Sequence, residues 1–339
     1  MPFLGGDNIS LIGVDIHTKY CLGIIEGNNT ETTLRFPNTP NGWKDFLKNE
    51  EHIDKVIIEA GSVSEKTIRF LEDLKIPIKM AHPKKARLIA EATIKTDKLD
   101  AKRLIDLEKV GILPEAWIPS REIRDIRHLC RYRFFLVQTR TRIKNRIHCE
   151  LDREDINVKT LTYKYLETVK EKTIMIDQLY RLLREVNEKI REVEKEIGKK
   201  YSENEYSRII DTIPGISKYG SLLLSMEIAD INRFSNSKKL TSYAGLVPRE
   251  YQSGAREWKG HITKEGNKWI RWILDECLAI HINICPYSPI SIYYRRLLPI
   301  KGKGKAKIAA ERRLLSVIYV MLKEKIPFDH YIKMIRGAI

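Results

Sequence analysis

The chain has 339 residues, 42% of them hydrophobic, which is enough for packed cores and more length than one ordinary core serves, so two or three domains are expected. Its 61 Lys and Arg against 45 Asp and Glu leave a formal net charge of +16, which favours a polyanionic partner, nucleic acid above all. The cysteines at 21, 130, 149, 277 and 285 form no CxxC pair, the start "MPFLGGDNIS" lacks a charged and then apolar leader, and no stretch approaches the ~18 apolar residues of a membrane span. Zinc knuckles, a disulfide framework and a membrane protein are thereby excluded, and a reduced cytoplasmic protein is expected.

Residues 9 to 36 read as a β-meander: "ISLIGVDIH" is apolar and ends in an acid, "YCLGIIEG" follows a short turn, and "TETTLRF" completes it. "NTPNGWKDFLKNE" has a Pro and Asn start and helical spacing, and the Val-Ile-Ile run of "DKVIIEAG" marks a buried strand. A helix is predicted over "SVSEKTIRFLEDL", a strand over "IPIKMAH", a proline-opened helix over "PKKARLIAEA", and another helix over residues 97–110. The order reads βββαβαβα.

From 121 to 151 the texture changes, and residues 121–150 carry nine Lys or Arg against three acids. Arg124, Arg127, Arg131, Arg142 and Arg146 fall near one helical face, and Ile126, Leu129, Leu136, Ile143 and Ile147 near another. An amphipathic helix with a cationic face suits a phosphate backbone; a merely solvated face is the plain alternative. Further on, Ile176, Leu179, Leu183, Val186, Ile190, Val193 and Ile197 recur in steps of three and four, a heptad seam starting after Lys172. It predicts coiled-coil pairing, against the 121–151 helix or between subunits.

A largely helical part follows from about 205. "IIDTIPGISKYGSLLLSMEIADINRF" places apolar helices around a Pro-Gly turn, like helix-hairpin-helix elements whose turn amides hold a DNA phosphate. After it come a glycine-punctuated stretch with Gly254, Gly260 and Gly266, a basic loop "KGKGKAK", and a helix "AAERRLLSVIYVMLKE". The expected domains are 8–115, 121–200 and 205–339.

Four carboxylates draw the eye. Asp97 and Asp100 of "TDKLDAKRL" stand three apart in the opening turns of a helix and share a face. Charges that close need something positive between them, and Lys98, Lys102 and Arg103 offer the surface ion-pair solution. Asp15 on the first strand and Glu59 at the end of the fourth, with two acids on a later helix, give the layout of the RNase H-like (RuvC-like) nucleotidyl-transfer fold. The expected class is thus an α/β RNase H-like N-terminal domain, a helical coiled-coil middle and a mostly α C-terminal domain. Four such oxygen-rich ligands can hold two Mg²⁺ ions, with Mn²⁺ able to substitute, which activate the attacking oxygen and stabilise the leaving oxygen of a phosphodiester.

The stretches "GVDIHTKY", "IIEAGS", "TDKLDAKRL", "IPGIS" and "YAGLVPREYQSGAREWKGHITKEGN" resemble the DEDD transposases of the insertion-sequence one-ten group, bridge-RNA-guided DNA recombinases, over nearly the whole chain. The resemblance implies that Asp15, Glu59, Asp97 and Asp100 are the metal site. It also implies a serine nucleophile in the C-terminal domain, brought to the RuvC-like site of another subunit, at the position of Ser253 in "YQSG". A homo-oligomer, dimer or tetramer, follows, as does a structured noncoding guide RNA that pairs with double-stranded donor and target DNA.

A serine needs a metal, base or nearby cation to attack at neutral pH. Gly254 would let a phosphate backbone approach, and Arg249, Arg256, Lys259 and Lys264 would hold it. On spacing alone Ser253 is a turn serine among many, and Ser242 is the second candidate. Two other readings stand beside this one: a Holliday-junction resolvase that uses the four acids and water, and a non-catalytic architectural protein whose acids are surface pairs.

Overall fold

Buried Ile, Val and Cys alternating with less buried neighbours make the meander: β1 (Ser10–Ile16), β2 (Tyr20–Glu26) and β3 (Glu31–Pro37) pair antiparallel in sequence order. β4 (Ile53–Glu59) and β5 (Ile78–Ala81) join on the other side of β1 in parallel, so the sheet order is β3-β2-β1-β4-β5. Parallel neighbours require crossovers, which α1 (Pro40–Leu47) and α2 (Ser64–Asp73) supply. In the computed structural model, residues 10–27, 30–50, 52–89, 96–253 and 256–337 are described, with side chains for all of these except 250–259. The chain divides into two compact units, Met1–Arg121 and Glu122–Ile339.

The sheet of the first unit is covered on both faces. Ile12, Val14, Val56 and Ile58 meet Trp43, Phe46, Ile68 and Leu71 of α1 and α2. On the opposite face, Ile57 and Ala81 meet Ala86 of α3 (Pro83–Ile89) and Leu104 and Leu107 of α4 (Asp97–Lys109). The far end of the predicted "PKKARLIAEA" helix lies outside the described residues. α4 lies so close to β1 that a Cβ on Gly13 would stand 2.3 Å from the carbonyl oxygen of Ala101. Gly13→Ala should therefore push α4 off the strand and cost about 1–3 kcal/mol, measured by urea denaturation of the protein; an unchanged midpoint would mean that α4 yields freely there.

In the second unit the basic stretch forms one helix, α5 (Arg121–Arg153), and the heptad seam lies on α7 (Ile174–Glu203), with α6 (Tyr163–Val169) between them. Thr173 caps α7 by accepting from the Ile176 amide at 3.2 Å, which places Lys172 ahead of the helix. The seam is buried within the chain. Ile176 and Leu183 pack with Ile147 and Leu151, while Ile190, Val193 and Ile197 share a core with Ile126, Cys130 and Leu136, so the two helices run antiparallel. That second core continues into α8 (Glu205–Asp211), α9 (Lys218–Ile228), α11 (Lys268–Ile284), α12 (Pro289–Glu324) and α13 (Phe328–Gly337). The 121–200 segment, expected as a domain of its own, thus shares its core with the segment after 205.

Within the largely helical part, the glycine-punctuated stretch after α10 (Ser237–Tyr243) contains a hairpin of β6 (Pro248–Ser253) and β7 (Arg256–Ile262). One further expectation changes. "KGKGKAK" is not a loop: it lies inside α12, which is broken only at Gly302, with φ 72°. Leu183 is 1% exposed, so Leu183→Ala should cost about 2–5 kcal/mol while the mass by light scattering stays the same. A fall in mass with an unchanged melt would place the seam between subunits instead.

Candidate active site

β1 and β4 end side by side. The register Val14↔Ile58 carries Asp15 level with Glu59, and strand alternation turns both to the face that Gly13 and Ile57 present to α4. Across from them, Thr96 caps α4 by accepting from the Leu99 amide at 3.2 Å. Asp97 and Asp100 consequently sit in its first turn, where the positive end of the helix dipole favours carboxylates.

The crowding of these acids is relieved by a residue that spacing did not single out. His17 Nε2 lies 3.2 Å from Asp15 Oδ2 and 3.1 Å from Asp97 Oδ2, between the strand acid and the helix acid. Asp97 Oδ2 also accepts from the Tyr20 hydroxyl at 3.4 Å, and the Tyr20 ring stacks obliquely on His17 with centroids 4.5 Å apart. Asp100 is engaged separately, accepting from Arg103 Nη1 at 3.0 Å. Burial raises the Asp15 carboxyl above its ordinary pKa; His17 opposes that shift, and Asp97 and Asp100 add to it.

One donor atom each from Asp15, His17 and Asp97 lies within 4.8 Å of the others. The carboxylates of Asp15 and Asp97, with half-buried Glu59 and Asp100 nearby, are oxygen donors that fit a hard divalent cation, and the His17 imidazole adds a nitrogen donor of the kind that suits a transition metal. The signal for His17 was present in "GVDIHTKY": it stands two residues after Asp15, on the same side of the extended chain.

The remaining candidates fare unequally. Arg124 is 5% exposed, and Arg127 and Arg131 turn inward to Glu227, with Arg131 Nη2 2.8 Å from its carboxylate. All three leave the cationic face that spacing predicted, Arg124 by burial and Arg127 and Arg131 because the core carboxylate of Glu227 needs their charge more than the solvent side does. Arg146 pairs with Glu150 at 2.7 Å, whereas Arg142 is exposed and makes no ion pair among the described residues.

Ser253 ends β6, opposite Arg256 in the ladder; its side chain, those of Arg256 and Lys259, and Gly254 lie outside the described residues. Arg249, Lys264 and Ser242 are exposed. In the Pro-Gly turn, Pro214 O is 2.6 Å from His281 Nδ1 and a Cβ on Gly215 would meet the His281 amide at 2.8 Å, so that turn is docked on α11.

Ionised Asp15 is a burden on the metal-free fold, since its raised pKa means that folding disfavours the charged form, and the loss grows as pH rises past the ordinary carboxylate range. Without divalent cations, Asp15→Asn should melt no lower than the wild type. Adding Mn²⁺ should raise the wild-type midpoint and leave the variant's in place. A variant that melts well below wild type in metal-free buffer would show that Asp15 serves packing.

Residues 12–155 match the DEDD model of the IS110 type, described as "Transposase", and residues 207–292 match "Transposase IS116/IS110/IS902 family". The chain is 23% identical to the transposase for insertion sequence element IS1111A of Coxiella burnetii over 283 residues, 79% of this chain and 77% of that protein. It is 25% identical to the transposase for insertion sequence element IS1328 of Yersinia enterocolitica over 290 residues, 83% and 86% of the two. Over 131 residues, 37% of this chain and 39% of that protein, it is 34% identical to the pilin gene-inverting protein of Moraxella bovis. A DEDD domain has an RNase H-like fold and depends on divalent metal, and the five-stranded mixed sheet and the Asp15–His17–Asp97 cluster agree with both. The chain belongs to the IS110 family of DEDD transposases, enzymes that bind and recombine DNA for an insertion sequence.

Proposed function

We propose that Asp15, Glu59, Asp97 and Asp100 form the metal site of this transposase, that Ser253 is its nucleophile, and that a structured noncoding RNA selects the donor and target DNA. The observation that carries the reading is the meeting of Asp15 and Asp97, from a strand and a helix far apart in sequence, at one histidine nitrogen. Mg²⁺ ions at these acids, two by the family's pattern and replaceable by Mn²⁺, would offset the charge on the phosphate and on the attacking and leaving oxygens. His17 and Tyr20 orient Asp97 through the contacts already given, and Arg103 holds Asp100.

Ser253 Oγ bonds to the scissile phosphorus as the bond to the leaving deoxyribose oxygen breaks; the serine proton passes to solvent and the leaving oxygen takes one up. A hydroxyl of the exchanging strand then attacks the phosphoserine, rejoining DNA and restoring the serine. Arg249, Arg256 and Lys259 are on the hairpin that carries Ser253, Lys264 follows it, and these cations would hold the phosphate. The division of labour is a catalytic domain at 8–115, a helical segment at 121–200 and a serine-bearing part at 205–339. The serine reaches the acids of another subunit in a dimer or tetramer, and the assembly works in the cytoplasm. Pairing by the guide RNA would leave the side chains to contact backbones, in keeping with the +16 charge.

The test is a denaturing gel of end-labelled DNA incubated with the co-purified RNA and Mg²⁺, with peptide mapping of any protein–DNA adduct. Ser253→Ala should lose the adduct yet keep DNA and RNA binding, and Asp15→Asn, Glu59→Gln, Asp97→Asn and Asp100→Asn should each abolish strand transfer. Cleavage by Ser253→Ala at the normal rate would favour the water-using resolvase. An adduct mapped to Ser242 would move the nucleophile, and adduct formation without RNA would remove the guide.

A further inference from the structure

In the second unit, α5, α9 and α11 enclose an open cavity of about 550 Å³ that neither the acids nor the hairpin uses. Its walls bring aromatic rings, cations and an amide together. Phe134 and Trp272 meet edge to face with centroids 4.5 Å apart, and Trp269 lies 5.0 Å from Phe134, so the ring cluster is held rigid. Tyr219 forms part of the wall, with the Arg133 guanidinium 4.3 Å from its ring centroid and its hydroxyl donating to Cys130 O at 3.1 Å.

Two cations, an amide and one acid, Glu276 of α11, share the rest of the lining with Val137, Thr141 and Ile273. Arg133 is fixed by Glu194 at 2.7 Å, but exposed Arg142 at the same cavity has no ion-pair partner among the described residues. Gln138, one turn before Arg142 on α5, is exposed and carries both a donor and an acceptor.

The geometry points to a pocket for one unpaired nucleotide: its base stacks on the Phe134–Trp272 cluster, Gln138 meets the base edge, and Arg142 takes the adjoining phosphate. A closed duplex offers no base face to such a pocket, whereas an unpaired strand offers a π-face for each base. An apolar small molecule would leave Arg142 unused, and a free phosphate would leave the rings unused. The pocket requires no metal, no strand transfer and no assignment of Ser253, so its failure would leave the catalytic reading untouched.

The experiment uses the full chain, without divalent metal, and labelled oligodeoxythymidylate, oligouridylate and a DNA duplex as probes. Trp272→Ala should weaken single-strand binding about 5- to 150-fold, the equivalent of about 1–3 kcal/mol for one stacked base, with little change for the duplex. Trp272→Phe should recover most of the loss. Because Trp272 also packs against the core, two variants at exposed positions stand beside it. Thr141→Trp should fill the cavity and block single strands, and Arg142→Gln should lower the salt slope of single-strand binding by about 0.7.

Bromouracil placed in each strand should crosslink to peptides carrying Phe134, Tyr219 or Trp272, and the tighter of the two strands identifies the source as DNA or RNA. Equal losses on single strand and duplex would reduce the site to a general cationic patch. Crosslinks elsewhere, or normal single-strand binding by a folded Thr141→Trp protein, would overturn the pocket.

Discussion

The acidic site depends on a close approach between backbones. Where β1 passes under α4, Gly13 has no Cβ, and the Ala101 carbonyl occupies the space that one would need. That contact brings the first turn of α4 within reach of the end of β1, so that Asp15 and Asp97 can share His17 Nε2. Each ingredient alone is ordinary: a capped helix start, a strand end, a histidine on the same side of the chain. Their combination concentrates negative charge that folding by itself does not favour, as the upward shift of Asp15 records. A cap contributes about 1 kcal/mol and a favourable dipole about 0.3–1 kcal/mol, so local terms offset only part of that repulsion. The layers of Trp43, Phe46, Ile57 and Leu104 hold the rest in place.

The second unit has its own internal charge anchor. Glu227 on α9 is fully buried and is held by Arg131 at 2.8 Å, Arg127 at 3.6 Å and Asn267 Nδ2 at 2.7 Å. Losing one partner of such a buried pair typically costs about 3–5 kcal/mol, because the other charge is left stranded. Asn267 also caps α11, accepting from the Trp269 and Ile270 amides, and its own amide donates to Tyr243 O at 2.8 Å. Gly266, whose Cβ would lie 2.4 Å from Tyr243 O, lets the chain leave the hairpin at that point. The base of the β6–β7 hairpin is thereby fixed to the helical core, and Ser253 stands at its other end.

Much of the first unit was legible because its patterns are local. Val-Ile runs, a Pro-Asn helix start and the order of elements identify the five strands and the helices between them, and the positions of Asp15, Glu59, Asp97 and Asp100 follow from strand ends and a helix cap. His17 was within reach by the same alternation, but a histidine acquires its meaning only when α4 arrives, which is a long-range contact. The arginines of α5 show the limit of periodicity: spacing tells which residues share a face and not what the face meets, and Glu227, about a hundred residues on, decides where Arg127 and Arg131 point. The hairpin was hidden by three glycines that read as punctuation. "KGKGKAK" read as a loop because glycine is a poor helix former, yet only Gly302 leaves the helical region, while the flanking Lys301 and Lys303 do not.

A net charge of +16 says little about where nucleic acid lies until the cations already engaged are set aside. Arg127 and Arg131 neutralise Glu227, Lys55 and Lys79 hold Glu108, and Lys102 and Lys109 hold Glu26, all at 3.6 Å or less. Such clusters tie their cations to cores and layers, so the side chains are held in place even where two cations share one carboxylate. Among the cations outside these pairs, Arg142 lies beside an aromatic cavity and Arg249 on a strand of the hairpin. Backbone attraction is indifferent to sequence, and aromatic stacking nearly so. A protein that relied on those two forces alone would grip strands without choosing among them.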